Sequence, residues 1–201
     1  MVEQLRKTVN ATLDARFGGG LPWNQNTGTA FAIDLAARLA PEVANPVLYG
    51  RPRAGARALI AEWGLSFVPG EMFVDFVLGD LRSPTALRVL VGCESEMHEN
   101  HGTGYSLDDE NGYTKDFRQL LRFPAPTLLF AARVRTERLP GLEVSLAACA
   151  KDFYEEWSTK RVLLVLIPSA SRRLDLVRLG IGEIEGAVRF VPFVAPAMSS
   201  G

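Results

Sequence analysis

Apolar residues recur along the chain at two different intervals, and these intervals predict helices and strands. Apolar positions three and four residues apart predict helices at about 2–17, 27–40, 54–63, 114–123 and 142–157. Alternating or continuous apolar runs predict strands at 71–78, 87–96, 127–134 and 162–167. The run at 162–167 is apolar throughout, so we expect a buried central strand that is parallel to a neighbour. The 71–78 and 87–96 strands are expected to pair antiparallel across a turn at 79–86.

The residues between these elements predict where the helices begin and end. Three glycines at 18–20 end the first helix, Thr27 or Thr29 caps the second, and Thr114 caps the fourth. We expect an irregular segment at 45–53 and a mobile polar loop at 98–113. The segments 174–179 and 187–193 are expected to form a hairpin with glycines between them, and the tail at 195–201 is expected to be frayed.

Together these elements predict a single α/β domain over residues 1–201, with a mixed central β-sheet flanked by helices. We expect a core at about 54–168, an N-terminal helical cover at 1–53 and a C-terminal β extension at 169–201. With 201 residues, of which 47% are hydrophobic and 22% charged, the chain has enough apolar material for one packed core.

The composition also limits the cellular locations and the binding partners that we expect for the protein. The sequence has no apolar run of about 18 residues and no signal peptide, and Cys93 and Cys149 lie in apolar segments, so we expect a cytoplasmic protein with two reduced thiols. The net charge of −1 provides no global attraction to nucleic acid. A nucleic-acid partner would therefore need a local basic patch, and Arg51, Arg53 and Arg57 are the candidates, with a solvated surface as the alternative.

The candidate chemistry lies in the acidic residues of the two middle strands. Glu94 and Glu96 are one residue apart on a strand, so they share a face, with Cα atoms about 6.5–7 Å apart. Leu87, Val89, Val91 and Cys93 are expected on the opposite face. Asp75 stands inside an apolar strand, where an ionised carboxylate is costly unless it has a partner. These residues are either metal ligands or, alternatively, solvated glutamates beside a hydrogen-bonded structural aspartate.

The order of elements from residue 54, with acidic residues on the middle strands, resembles the PD-(D/E)XK nuclease superfamily with its restriction-endonuclease-like fold. Asp75 matches the family's Asp, and Glu94-Ser-Glu96 matches its Glu-X-Lys in a Glu-X-Glu variant. Gln119 matches a further polar residue that the following helix often supplies. Glu-Ser-Glu-Met followed by Asp-Phe-Arg-Gln-Leu-Leu also resembles a bacterial subgroup over about residues 70–135.

The resemblance implies a nuclease that hydrolyses phosphodiester bonds, with DNA as the expected substrate. Asp75, Glu94 and Glu96 would hold Mg²⁺ or Mn²⁺, and Lys115 would supply the positive charge that Glu96 cannot. The alternatives are a domain of the same fold that has lost catalysis and serves as a binding or regulatory module, and an unrelated metal-dependent hydrolase. The three carboxylates converging within about 5 Å in an open cleft would favour an enzyme. Whether the protein forms a homodimer is left open by the sequence.

Overall fold

The structure is a computed structural model, and it describes residues 1–22, 24–43, 45–71, 73–83, 86–97, 112–169, 173–183 and 186–193. The predicted loop at 98–113 lies outside these residues up to position 111, and so does the predicted tail at 195–201. No helix in the described ranges is long and apolar enough to cross a membrane.

The described residues form helices and strands that are interspersed along the chain. The helices are α1 (Val2–Phe17), α2 (Gln25–Leu39), α3 (Ala54–Glu62), α4 (Tyr113–Arg122), α5 (Leu139–Asp152) and α6 (Tyr154–Trp157). The strands are β1 (Pro46–Gly50), β2 (Phe67–Pro69), β3 (Phe76–Ser83), β4 (Ala86–Glu96), β5 (Thr127–Val134), β6 (Arg161–Pro168), β7 (Arg178–Gly182) and β8 (Val188–Pro192).

The strands form one mixed sheet of eight, in the order β2-β1-β3-β4-β5-β6-β7-β8. The pairs β1/β2, β4/β5 and β5/β6 are parallel, and the other neighbours are antiparallel. The expected α/β fold with a mixed central sheet flanked by helices is therefore confirmed. The expected position of β6 is confirmed as well, since it is buried and runs parallel to β5.

Helices cover both faces of the sheet and create two hydrophobic layers. On one face α1, α2 and α3 pack with side chains such as Phe31, Leu35 and Ile60. On the other face α4, α5 and α6 pack with side chains such as Phe117 and Leu146. Parallel strands that are covered on both faces have continuous apolar sequences, and β5 and β6 have such sequences.

Several predicted boundaries were wrong, and in each case a neighbouring element explains why. The segment at 45–53 contains β1, because pairing with β3 orders backbone that its two prolines suggested was irregular. Asn24, and neither Thr27 nor Thr29, caps α2, since its side chain accepts from the Thr27 N–H at 2.9 Å. The helix α4 begins at Tyr113, before Thr114, with Gly112 as its cap residue. The C-terminal hairpin exists, but the glycines expected to separate its strands lie inside β7.

The β3–β4 hairpin differs most from expectation. Its first strand begins at Phe76, so Asp75 lies just outside the strand, and it continues to Ser83 through the predicted turn. Leu78 pairs with Val91 whereas Gly79 pairs with Val89, which leaves Leu90 as an extra residue in a β-bulge. A bulge shifts the alternation of side chains by one residue. Val91 and Cys93 therefore face α2, while Val89 packs against the α4 layer, contrary to the expectation of a single face.

Candidate metal centre

The antiparallel pairing of β3 and β4 brings Asp75 to the two glutamates. Phe76 pairs with Cys93, so Asp75 stands opposite the next residue of β4, Glu94. The main-chain N–H of Ser95 donates to Oδ2 of Asp75 at 2.9 Å. A second hydrogen bond links the main chain of Asp75 to the Glu94 carboxylate. These two bonds hold the aspartate at the end of β4.

Asp75, Glu94 and Glu96 converge, an arrangement that the sequence left open. One carboxylate oxygen from each of the three residues lies within 4.8 Å of the other two. Beyond the bulge, Glu94 and Glu96 share the face of the sheet that carries α4, since they pair with Phe130 and Ala132 of β5. Glu94 is only 5% exposed, whereas Glu96 is half-buried and Asp75 reaches the solvent.

The helix α4 adds polar side chains from the same face. Asp116 and Gln119 line the cavity in front of the carboxylates, as predicted for Gln119. The carboxyl groups of Asp116 and Glu96 are hydrogen-bonded to each other. Asp116 was not among the predicted site residues, although its spacing of three residues from Gln119 places both on one helix face. Lys115 is half-buried and close enough for its charge to lower the pKa of Glu96, but it does not line the cavity.

The cavity in front of the carboxylates has a volume of about 470 Å³ and opens to solvent. Three sides come from the β3–β4 hairpin, α4 and the segment before β3. The described residues that line it are Arg51, Gly70, Glu71, Phe73, Val74, Asp75, Glu94, Glu96, Asp116 and Gln119. Its floor is acidic, and its rim carries the ion pair of Arg51 with Glu71 and the 87% exposed ring of Phe73.

Burial raises the pKa of each carboxyl group in the cluster, and neighbouring acidic charges add to the shift. Burial first, and then the charges of Asp75, Asp116 and Glu96, raise the pKa of Glu94 to about 10. Burial and the neighbouring Asp116 raise the pKa of Glu96 to about 8. Asp75 has exposed surface, yet its carboxylate is largely enclosed. This burial raises its pKa, while the Ser95 N–H opposes the shift.

The donor set fits a hard divalent cation. Mg²⁺ binds oxygen at about 2.0–2.1 Å and Ca²⁺ at about 2.3–2.6 Å, so opposite ligands of one ion are about 4.2 Å and about 4.6–5.2 Å apart. Only one pair among three ligands can be opposite, and neighbouring Mg²⁺ ligands are about 3 Å apart. The three oxygens, which lie within 4.8 Å of one another, would therefore move inward by side-chain rotation to share one ion. A bound cation would also neutralise the repulsion that raises these pKa values.

Two of the three arginines in the predicted basic patch line a cavity at the site. Arg51 is at the rim of the cavity, in its ion pair with Glu71. Arg53 donates to the Gln25 side chain at 2.8 Å and lowers the pKa of Asp75 through its charge. Arg57 points elsewhere: its guanidinium lies 5.8 Å from the centre of the Phe67 ring and donates to the Pro52 carbonyl.

Comparisons with known proteins return nothing for this chain: no family model, no curated protein and no solved structure matches it.

Proposed function

We propose that the protein is a Mg²⁺-dependent nuclease that hydrolyses phosphodiester bonds of nucleic acid, with DNA as the first substrate to test. The observation that carries this proposal is the convergence of three carboxylates at the floor of an open cavity. Oxygen-rich sites of this kind suit Mg²⁺ or Mn²⁺. When bound, the ion would supply charge neutralisation at the phosphate and a more acidic water.

The residues of this chain would have distinct roles in that reaction. Asp75 and Glu94 would hold the ion, since the Ser95 N–H and the main chain of Asp75 fix their carboxylates. Glu96 would either complete the ligand set or accept a proton from water, and Asp116 would orient it through their shared hydrogen bond. Gln119 would position water or substrate in the cavity.

Lys115 is proposed to replace the lysine that PD-(D/E)XK nucleases carry where this chain has Glu96. Its ammonium already acts on the Glu96 carboxyl, so the charge is close to the site even though it comes from α4. Removal of an electrostatic contribution of this kind typically slows a reaction roughly 10²-fold or more, and we expect a loss of that size in Lys115→Ala.

The deciding experiment is a cleavage assay on single- and double-stranded DNA and RNA with Mg²⁺, with Mn²⁺ and with chelator. Wild type should cleave only with a divalent ion, and Glu94→Gln should abolish cleavage. Glu62→Gln, an exposed glutamate on α3, is the matched control and should behave as wild type. Equal cleavage by Glu94→Gln and wild type would rule out the proposed site.

A second candidate function follows from the glutamate at position 96. Where the superfamily has a lysine, this site has an additional acid, which fits a module that has lost catalysis and binds nucleic acid or a regulatory partner. In that case wild type would bind nucleic acid without cleaving it under any metal condition. Glu96→Lys, which restores the usual pattern, would then gain no activity.

A further inference from the structure

A second cavity lies beside the carboxylate cluster, on the side of the sheet that carries α2. Its volume is about 260 Å³, and it shares Arg51, Asp75 and Glu96 with the first cavity. The remaining described residues that line it are Gln25, Thr29, Pro52, Arg53, Phe76, Ser95 and Met97. Besides the two shared carboxylates, this second cavity is lined by two arginines and by neutral hydrogen-bonding side chains.

The buried hydroxyl group of Ser95 indicates that the second cavity binds a ligand. The residue is only 9% exposed, and its Oγ is buried without a hydrogen-bond partner in the part of the chain that the structure describes. Its main-chain N–H is already used by Asp75, so the hydroxyl group is a separate hydrogen-bonding group. Buried hydroxyls without partners are costly and uncommon, and a group bound in the second cavity would satisfy this one.

The arginines and helix ends at the second cavity would attract an anion, whereas the carboxylates of Asp75 and Glu96 would repel it. Gln25 is the first residue of α2, and Arg53 immediately precedes α3, so the N-terminal ends of two helices meet at this point. The Arg53 guanidinium bridges them by donating to the Gln25 side chain at 2.8 Å. Helix N-termini carry partial positive charge, and arginine binds phosphate oxygens with several N–H groups at once.

We propose that the second cavity binds a phosphate group of a nucleic-acid strand, through the Ser95 hydroxyl and the guanidinium groups of Arg51 and Arg53. This inference rests on the proposed function, because the bound phosphate would neighbour the one at the carboxylate cluster. The two cavities share Asp75 and Glu96, so a cation at the cluster would reduce the repulsion between those carboxylates and the phosphate. Phosphate binding should therefore be tighter with Mg²⁺ than without it.

Calorimetric titration of inorganic phosphate, with and without Mg²⁺, tests the proposed phosphate site. Ser95→Ala removes one hydrogen bond and Arg53→Gln removes one charge, and each should weaken phosphate binding roughly tenfold in the presence of Mg²⁺. Arg88→Gln, which alters an exposed arginine towards the opposite end of β4, is the matched control and should bind as wild type. Arg53 is exposed, so its variant is expected to fold even if Ser95→Ala does not.

One further measurement, the effect of Mn²⁺ on the melting temperature, separates this inference from the proposed function. Mn²⁺ should raise the melting temperature of Ser95→Ala as much as that of wild type, since the hydroxyl is not a metal ligand. If Mn²⁺ binds while phosphate does not, or if both variants bind phosphate as wild type does, the phosphate site is wrong and the metal centre stands. If Mn²⁺ does not bind at all, it is the proposed function that fails.

Oligonucleotides identify the source of the phosphate. Strands with a 5′-phosphate and strands with a 5′-hydroxyl are compared for binding to wild type and to Ser95→Ala. A loss in Ser95→Ala that is confined to phosphorylated strands would assign a terminal phosphate to the second cavity. An equal loss for both strands would assign an internal phosphodiester, and no loss for either strand would overturn the inference.

Discussion

The Cα of Gly50 lies so close to Asp75 that a methyl group placed on it would be 2.4 Å from the Asp75 carbonyl oxygen. Gly50 ends β1 and pairs with Phe76, the first residue of β3. The absence of a side chain at position 50 therefore allows β1 to approach the backbone that carries the candidate metal ligand. The position of Asp75 depends on this contact as well as on its hydrogen bond with Ser95.

Gly50→Ala should displace Asp75, because the clash is with backbone that cannot rotate away. We expect the free energy of unfolding to fall by about 1–3 kcal/mol and Mn²⁺ binding to weaken. Urea denaturation and a metal titration measure the two effects. Gly141→Ala is the control, since the new methyl group in α5 meets no atom within 4 Å and should be neutral or slightly stabilising. Wild-type Mn²⁺ affinity in Gly50→Ala would show that Asp75 does not depend on this contact.

Asp75→Asn should abolish stabilisation by Mn²⁺ while preserving the fold. The asparagine oxygen can still accept from the Ser95 N–H, but the charge that attracts a cation is lost. At about 100 times the dissociation constant, Mn²⁺ should stabilise wild type by about 2.7 kcal/mol, or roughly 5–11 °C in melting temperature. Asp14→Asn, on the exposed side of α1, should retain the full shift. The metal site is disproved if Asp75→Asn retains it too.

The stability of the metal-free protein should fall as pH rises. The pKa values of Glu94 and Glu96 are raised from 4.5 to about 10 and about 8, so above pH 4.5 the folded state holds protons that the unfolded state has released. Stability is then fully present below pH 4.5 and declines up to pH 8 and beyond, by at most about 1.4 kcal/mol per pH unit for each proton. Urea denaturation in chelator across this range measures the decline.

Asp116→Asn and Glu96→Gln should both flatten that decline, the first because it removes a charge that raises the pKa of Glu96 and the second because it removes the titrating group. Glu62→Gln, on the exposed face of α3, serves as the control and should keep the wild-type slope. A slope that is unchanged in both site variants would mean that the Glu96 carboxyl does not carry the effect.

Above about pH 8, where the Glu96 carboxyl ionises, Glu96→Lys should stabilise the metal-free protein by about 1 kcal/mol or more, because it replaces a repelled carboxylate by a charge that attracts its neighbours. Position 96 is half-buried at the end of β4, so a lysine ammonium can stay in contact with water. Denaturation in chelator measures this gain, and Glu62→Lys provides the control. A less stable Glu96→Lys protein would indicate that the acids of the cluster do not repel one another. If Glu96 is a metal ligand or a base, cleavage by this variant should be lost.

Both thiols should be unreactive in the folded protein. Cys93 is 1% exposed on the sheet face opposite Glu94, and Cys149 is fully buried in α5. Burial, followed by the charges of Asp75 and Glu94, raises the pKa of Cys93 well above its ordinary value, and burial raises that of Cys149 to about 12. Labelling with a thiol reagent before and after denaturation tests this, with Cys149→Ala isolating Cys93. Rapid labelling of native Cys149→Ala would contradict the facing of β4.

The local pattern of the sequence was sufficient for most helices and central strands. Helix α1 is read directly from its apolar spacing and Gly18, which adopts the left-handed conformation with φ 58°. Continuous apolar runs predict strands β5 and β6, because strands of a sheet that is covered on both faces are apolar on both sides. The common face of Glu94 and Glu96 also follows from the sequence, because side chains two residues apart on a strand point to the same side of the sheet.

Other features depended on contacts between distant residues. Strand β1 forms because β3 supplies its hydrogen bonds, and the bulge at Leu90 comes from the register of β3 with β4. Neither feature can be predicted from the spacing of apolar residues along the chain, since the partner and register of a strand are set by the packing of whole elements.

The site divides in the same way. The sequence by itself determined which carboxylates are candidates, because Asp75 interrupts an apolar segment and Glu94 and Glu96 follow one. Only the tertiary structure decided that their oxygens lie within 4.8 Å of one another, that Asp116 joins them, and that Ser95 lines a second cavity. The reason is physical: a strand interval determines the face of a side chain, whereas distances between elements depend on the bulge, the helix packing and the close approach at Gly50.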